Sequence, residues 1–159
     1  MGKLSKKTDF TAYKESILFK IIESDNIVQA LTNNKPNFLD ERIDIDPTSL
    51  IYTYIFPYRK SIKTLTEPQS LITMRFANFK PIGNKFRNGD IYFYIICHNS
   101  LLATDYGLRY DFIFDKLDKL FTNSRDIGIG KMGLYDVSDL DIDENYTGSV
   151  CVFHVTDFA

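Results

Sequence analysis

The sequence predicts an α+β fold: a mostly antiparallel sheet of about five strands with two main helices packed on one face, in the order α-β-β-β-α-β-β. Three observations carry this. Two stretches, near residues 9–31 and 106–121, repeat their apolar residues at helical spacing. Five runs read as strands, the first of them, Leu50 to Phe56, dense in β-branched and aromatic residues and stopped by Pro57. Connections between neighbouring runs are short, which favours antiparallel pairing. At 159 residues the chain can fill one core and is too short for two ordinary domains, so 1–159 reads as one domain, with 1–8 a flexible N-terminus.

The first helix is expected to start at Asp9 as its cap, with Tyr13, Ile17 and Ile21 on one stripe beside Leu18 and Ile22. Ser24 and Asp25 interrupt the pattern, and Asn26 to Leu31 reads as one or two further turns, ended by Asn33, Asn34 and Pro36. Residues 36–50 form a polar loop with the acidic tract DERIDIDP. A strand is expected over Leu50 to Phe56, stopped by Pro57. Leu71 to Phe79 alternates Ile72, Met74 and Phe76 with Thr73, Arg75 and Ala77, the pattern of a half-buried strand. Ile91 to Cys97 is apolar on both faces and is placed centrally, behind the turn Asn88-Gly89-Asp90. Tyr106 to Phe121 is the second clear helix, with Tyr110, Phe114, Leu117 and Phe121 on one stripe and Asp111, Asp115, Lys116, Asp118 and Lys119 opposite. Strands over Lys131 to Val137 and Tyr146 to Thr156 close the chain, on either side of an acidic turn.

Composition narrows the function classes. The net charge of -2 gives no global basic field to attract nucleic acid. The local basic groups, Lys3, Lys6 and Lys7 and then Arg59, Lys60 and Lys63, read as solvated termini and loops before they read as a phosphate site. No apolar run approaches the roughly 20 residues of a membrane span, and MGKLSKKTDF has no apolar stretch behind its charges, so no secretory signal is read. Two cysteines imply no disulfide framework, and an intracellular product is the expectation. The aromatic share is high, 14%, all Phe and Tyr, which suits a dense core or subunit contacts.

Three groups of residues could carry chemistry. Gly128 to Gly133 (GIGKMG) spells G-x-G-x-x-G, but a dinucleotide loop follows a strand and opens a helix, and here a helix precedes and a strand follows. Those glycines read as a helix-ending turn and a strand start. Cys97-His98 and Cys151-x-x-His154 include every Cys and His, yet along a strand each Cys points away from its His, which opposes a zinc site. A Cys–His nucleophile would lack an orienting third group. Asp139, Asp141 and Asp143 begin like a calcium loop, but Glu144 stands where glycine is needed and Val150 where a bidentate Glu should close it. No catalytic residue, cofactor or metal is therefore expected.

With the elements in order, four segments resemble small neck and tail proteins of tailed bacteriophages, of the tail-terminator or head–tail joining class. They are TYIFPY at 53–58, NGDIYFYIICH at 88–98, RYDFIFDKLDKLF at 109–121 and YTGSVCVFHVTDF at 146–158. The likeness covers roughly residues 50–158 and lies in element order and texture; the acidic segment before residue 50 departs from it. The resemblance implies a virion protein: a homo-oligomeric ring, a hexamer or dodecamer, stacked on other neck and tail proteins, through which DNA passes without tight binding. In such a ring Tyr52, Tyr54, Tyr58, Arg59, Lys60 and Arg87 are the expected subunit interface, and Asp139, Asp141, Asp143 and Glu144 an acidic lumen or partner surface. The competing readings are a small intracellular protein-binding or regulatory module and, behind it, a metal-dependent nuclease or hydrolase.

Overall fold

The computed structural model describes residues 6–82, 85–125, 127–128 and 130–156, with the side chains of 6–9, 81–82 and 85–87 left aside. Helix α1 (Lys6–Ile22) buries Ile17, Leu18, Ile21 and Ile22. Asp9 lies inside α1 rather than capping it, because nothing from Lys6 to Asp9 breaks a helix. Ser24 ends the first pattern and starts the next: its hydroxyl accepts from the Ile27 amide at 3.4 Å and caps α2 (Asp25–Thr32). Two buried amides then tie the polar loop to α2. Gln29 exchanges hydrogen bonds with the Ile43 backbone at 2.8 and 3.0 Å, and Asn33 donates to the Glu41 carbonyl at 2.7 Å.

The expected strand over Leu50 to Phe56 is mostly a turn. A short 3-10 helix covers Pro47–Leu50, Tyr52 takes a left-handed φ of 65°, and the Thr53 and Tyr54 amides both donate to the Leu50 carbonyl. Only β1 (Ile55–Phe56) is strand, and it runs parallel to β2 (Ser70–Ile82), not antiparallel. Leu50, Ile55 and Phe56 are buried, and a turn meets that burial as well as a strand would.

The rest of the sheet follows the expected order of elements. It comprises β2, β3 (Lys85–His98), β6 (Lys131–Asp141) and β7 (Tyr146–Thr156), and its order is β1-β2-β3-β7-β6. β2, β3 and β6 are longer than expected, and Asn88-Gly89-Asp90, expected as a turn, lies inside β3, where pairing with β7 holds it extended. Pairing of β2, β3, β7 and β6 is antiparallel throughout. A small hairpin of β4 (Ala103–Thr104) and β5 (Gly107–Leu108) precedes α3 (Arg109–Phe121), so the second expected helix starts three residues later than its apolar stripe suggested.

The helices share one face of the sheet. Ile72, Met74, Ile91, Phe93, Ile95, Cys97, Cys151, Phe153 and Val155 alternate along their strands and meet Ile17, Ile21, Leu31, Ile113, Leu117 and Phe121 in one core. On the outer face the segment 57–68 folds over one end, closing a smaller cluster of Phe56, Leu71, Ile96 and Tyr146. At Gly148 the neighbouring strand approaches closely: a Cβ there would stand 1.9 Å from the Ile95 carbonyl oxygen.

Candidate functional site

Five of the six expected interface residues, all but Arg87, lie in and around β1, at one edge of the sheet. Tyr52 and Tyr58 are 60% and 50% exposed, and their rings stack at 6.3 Å. Tyr58 meets Phe56 edge to face at 5.8 Å, and the Lys60 ammonium lies 5.6 Å from the Phe56 ring centre. The left-handed turn at Tyr52 is what turns its ring outward beside Tyr58. Arg59 is exposed next to them. Tyr54 is only half-exposed and packs against the main core. Arg87 falls within β3, at the far end of the sheet's second pairing, and its side chain lies outside the described residues.

The acidic residues divide between a strand and a turn. Asp139 and Asp141 belong to β6, which runs four residues past the expected end at Val137; Asp143 and Glu144 lie beyond it. Asp143 makes the turn into β7, accepting from the Asn145 and Tyr146 amides at 2.8 and 2.9 Å. The Glu144 carbonyl accepts from the Asn99 side-chain amide, Nδ2, at 3.0 Å. Asp139 faces α3: burial and the Asp139 charge push the Asp111 carboxyl above its ordinary value, and burial first, then Asp139, raises the Tyr110 phenol. β6 is also the opposite edge strand, and it exposes Leu134, Tyr135 and Val137, Tyr135 to 73%. Among the described residues, neither the acids of β6 nor Arg59 and Lys60 form an ion pair.

The Cys and His residues keep to opposite faces. Cys97 and Cys151 are in the helix-side core, where burial pushes their thiols up to about 11 and about 12. His98 and His154 are on the outer side. His98 accepts from the Ser100 amide at 3.1 Å, and His154 pairs with Asp90 at 2.9 Å. Burial raises the Asp90 carboxyl, but hydrogen bonds from His154 and Asn78 and the charge of His154 hold it below the usual carboxylate range. Among the described residues, no cluster of three or more His, Cys, Asp or Glu could hold a metal ion. Gly128 and Gly130 have φ of 92° and 125° and lie between α3 and β6, and the motif's last three residues, Lys131 to Gly133, start β6.

Two features had no sequence signal. The outer face carries Arg75 over the Tyr92 ring at 4.6 Å, with Tyr94 stacked next to Tyr92. An open cleft of about 310 Å³ lies between the 62–68 segment and the start of β7, lined by Lys63, Glu67, His98, Asp143 and Tyr146. It is polar and shallow, with the Asp143 carboxylate already engaged by backbone amides.

These elements define an α+β protein built on a five-stranded sheet with helices on one face, and exposed Tyr52 and Tyr58 at one sheet edge and Leu134, Tyr135 and Val137 at the other. The chain belongs to the YomW family, a Bacillus phage-type family whose model matches residues 24–155. No curated protein and no solved structure matches it. Among the described residues, no helix is long and apolar enough to cross a membrane.

Proposed function

We propose that this chain is a structural subunit of a bacteriophage neck or tail assembly, forming a hexameric or dodecameric ring at the head–tail junction or tail end. The observation that carries the reading is the placement of unlike surfaces on opposite edges of one sheet, aromatic and cationic beside β1, acidic and apolar on β6. A closed cyclic ring needs two different patches on each subunit, facing away from each other. Membership of a phage-type family adds to it. The two thiols are buried in the core, away from both edges. A net charge of -2 suits a conduit that lets DNA pass without holding it.

The test is native mass spectrometry and negative-stain imaging of the purified protein, alone and with neck or tail components of a virion. A ring in either sample is the expected result. A monomer in both refutes the reading.

A further inference from the structure

We infer that the two sheet edges are the two halves of one head-to-tail contact, in which β6 of one copy seats against the Tyr52–Tyr58–Lys60 surface of the next. This rests on the ring reading above and names the surfaces that would close it.

The exposed apolar side chains point to it first. Tyr52 and Tyr58 lie beside β1, and Leu134, Tyr135 and Val137 lie on β6, so five of the large exposed hydrophobic residues collect at the two edges. Scattered apolar residues need no explanation, whereas groups on two defined edges do. Charge is the second indication. Asp136, Asp139 and Asp141 line β6, and Arg59 and Lys60 flank the tyrosines, with no ion pair inside the subunit among the described residues. Each edge thus offers what the other lacks.

The same charges decide against β6 pairing with its own counterpart. Asp139 and Asp141 share the helix-side face of β6 and Asp136 the other, so sliding one β6 antiparallel along another brings Asp136 opposite itself, Asp139 opposite itself or Asp139 opposite Asp141 in different registers. Like charges directly across a ladder are unfavourable, and charged edge strands are a known device against self-pairing. A cationic partner faces no such penalty. The β1 side presents only a two-residue strand, whose neighbouring amide, Tyr52 N–H, is already bonded to the Ile55 carbonyl. Recognition there must come from side chains: Tyr135 against the stacked tyrosines, and Asp136 and Asp139 against Arg59 and Lys60. Four strand spacings of roughly 4.8 Å separate the edges, so one copy can engage both neighbours at once. In this arrangement the β6 aspartates face a neighbouring subunit rather than the lumen.

Charge reversal tests it. R59E/K60E makes both edges acidic, and D136K/D139K makes both edges basic. Circular dichroism checks that each is folded, and native mass spectrometry with sedimentation velocity reads assembly at concentrations up to hundreds of micromolar. Each variant alone is expected to lose at least about tenfold in self-association. An equimolar mixture is expected to recover it, as an alternating oligomer with an even number of subunits. If wild type assembles only on a virion component, all four samples are compared in its presence. Variants that assemble as wild type does, or two folded variants whose mixture stays monomeric, overturn the edge contact while a wild-type ring keeps the ring reading. A wild type that stays monomeric in every condition overturns both.

Discussion

Replacing Arg109 removes a buried side chain that ties three segments of the fold together. Arg109 is 1% exposed and meets no carboxylate among the described residues. Its guanidinium instead donates to four carbonyls: Leu101 at 2.7 Å, Ala30 at 2.8 Å, Asn33 at 2.9 Å and Lys35 at 3.3 Å, with the Phe38 ring centre 4.9 Å away. Ala30 lies in the last turn of α2, where carbonyls lack intrahelical partners and the helix dipole favours a cation. Arg109 therefore caps α2 from across the fold and pins the 33–38 loop to the start of α3.

Hydrogen bonds to a charged group contribute about 1.5–3 kcal/mol each. Burial opposes this, and it pulls the guanidinium below its ordinary value. Methionine relieves that desolvation but strands the four carbonyls. The closest precedent, removing one partner of a buried charged network, costs about 3–5 kcal/mol. With a urea slope near 2 kcal/mol/M, Arg109→Met should lower the unfolding midpoint by about 1.5–2.5 M, with the slope unchanged. Arg109→Lys keeps the charge but has three donors without the planar fork, and should recover only part of the loss. Urea titrations followed by circular dichroism measure both. A methionine variant within about 0.5 M of wild type would refute the capping role.

Three further outcomes follow from the packing and the edges' surroundings. Gly148→Ala should cost about 3 kcal/mol or more by thermal or urea unfolding, because its Cβ would enter the Ile95 carbonyl, whereas Gly133→Ala, with nothing within 4 Å, is the control expected to change little. Neither Cys97 nor Cys151 should react with a disulfide reagent in the native protein at pH 8: with thiols at about 11 and about 12, at most about one in a thousand is thiolate, and both should react on unfolding. For Asp90, whose folded value is depressed, the stability it contributes is present above the unfolded value near 3.9 and is lost as pH falls through the folded value. Asn78→Ala removes one of the bonds holding it down, so the Asp90 carboxyl, followed by NMR, should titrate at higher pH than in wild type. An unmoved titration would mean that the Asn78 bond is not made in solution.

What the sequence discloses depends on whether burial demands one conformation. β7 spans Tyr146–Thr156 as its pattern indicates, because every second residue must reach the helix-side core. The paired glutamine and asparagine that hold the acidic loop have no such periodicity, and neither does Arg109, which reads as an ordinary solvated arginine at a helix start. Its partners are backbone carbonyls from segments 8 to 79 residues away, and no residue type marks them. The segment 50–56 misleads for the converse reason: Leu50, Ile55 and Phe56 are buried, but a turn around Tyr52 buries them without a ladder. The end of β6 is hidden because Ser138, Asp139 and Asp141 look like loop residues, yet an edge strand pairs on one side only and need not bury them.

The tyrosines beside β1 are therefore legible as a surface while their geometry is not. Residue type alone marks Tyr52 and Tyr58 as candidates; the left-handed turn that stacks them, and the sheet order that places them opposite β6, are products of the fold. That sheet order matters for specificity. An edge strand carrying exposed Leu134, Tyr135 and Val137 would invite any strand to pair with it, and Asp136 among them and Asp139 and Asp141 after them disfavour acidic or identical strands at little cost to a basic partner. Apolar contact would then supply adhesion, and charge would select the neighbour and its orientation. Neutralising the aspartates should accordingly broaden association rather than abolish it: D136N/D139N is expected to form larger, irregular assemblies by sedimentation. The same variant remaining as uniform as wild type would mean that the carboxylates do not set the choice of partner.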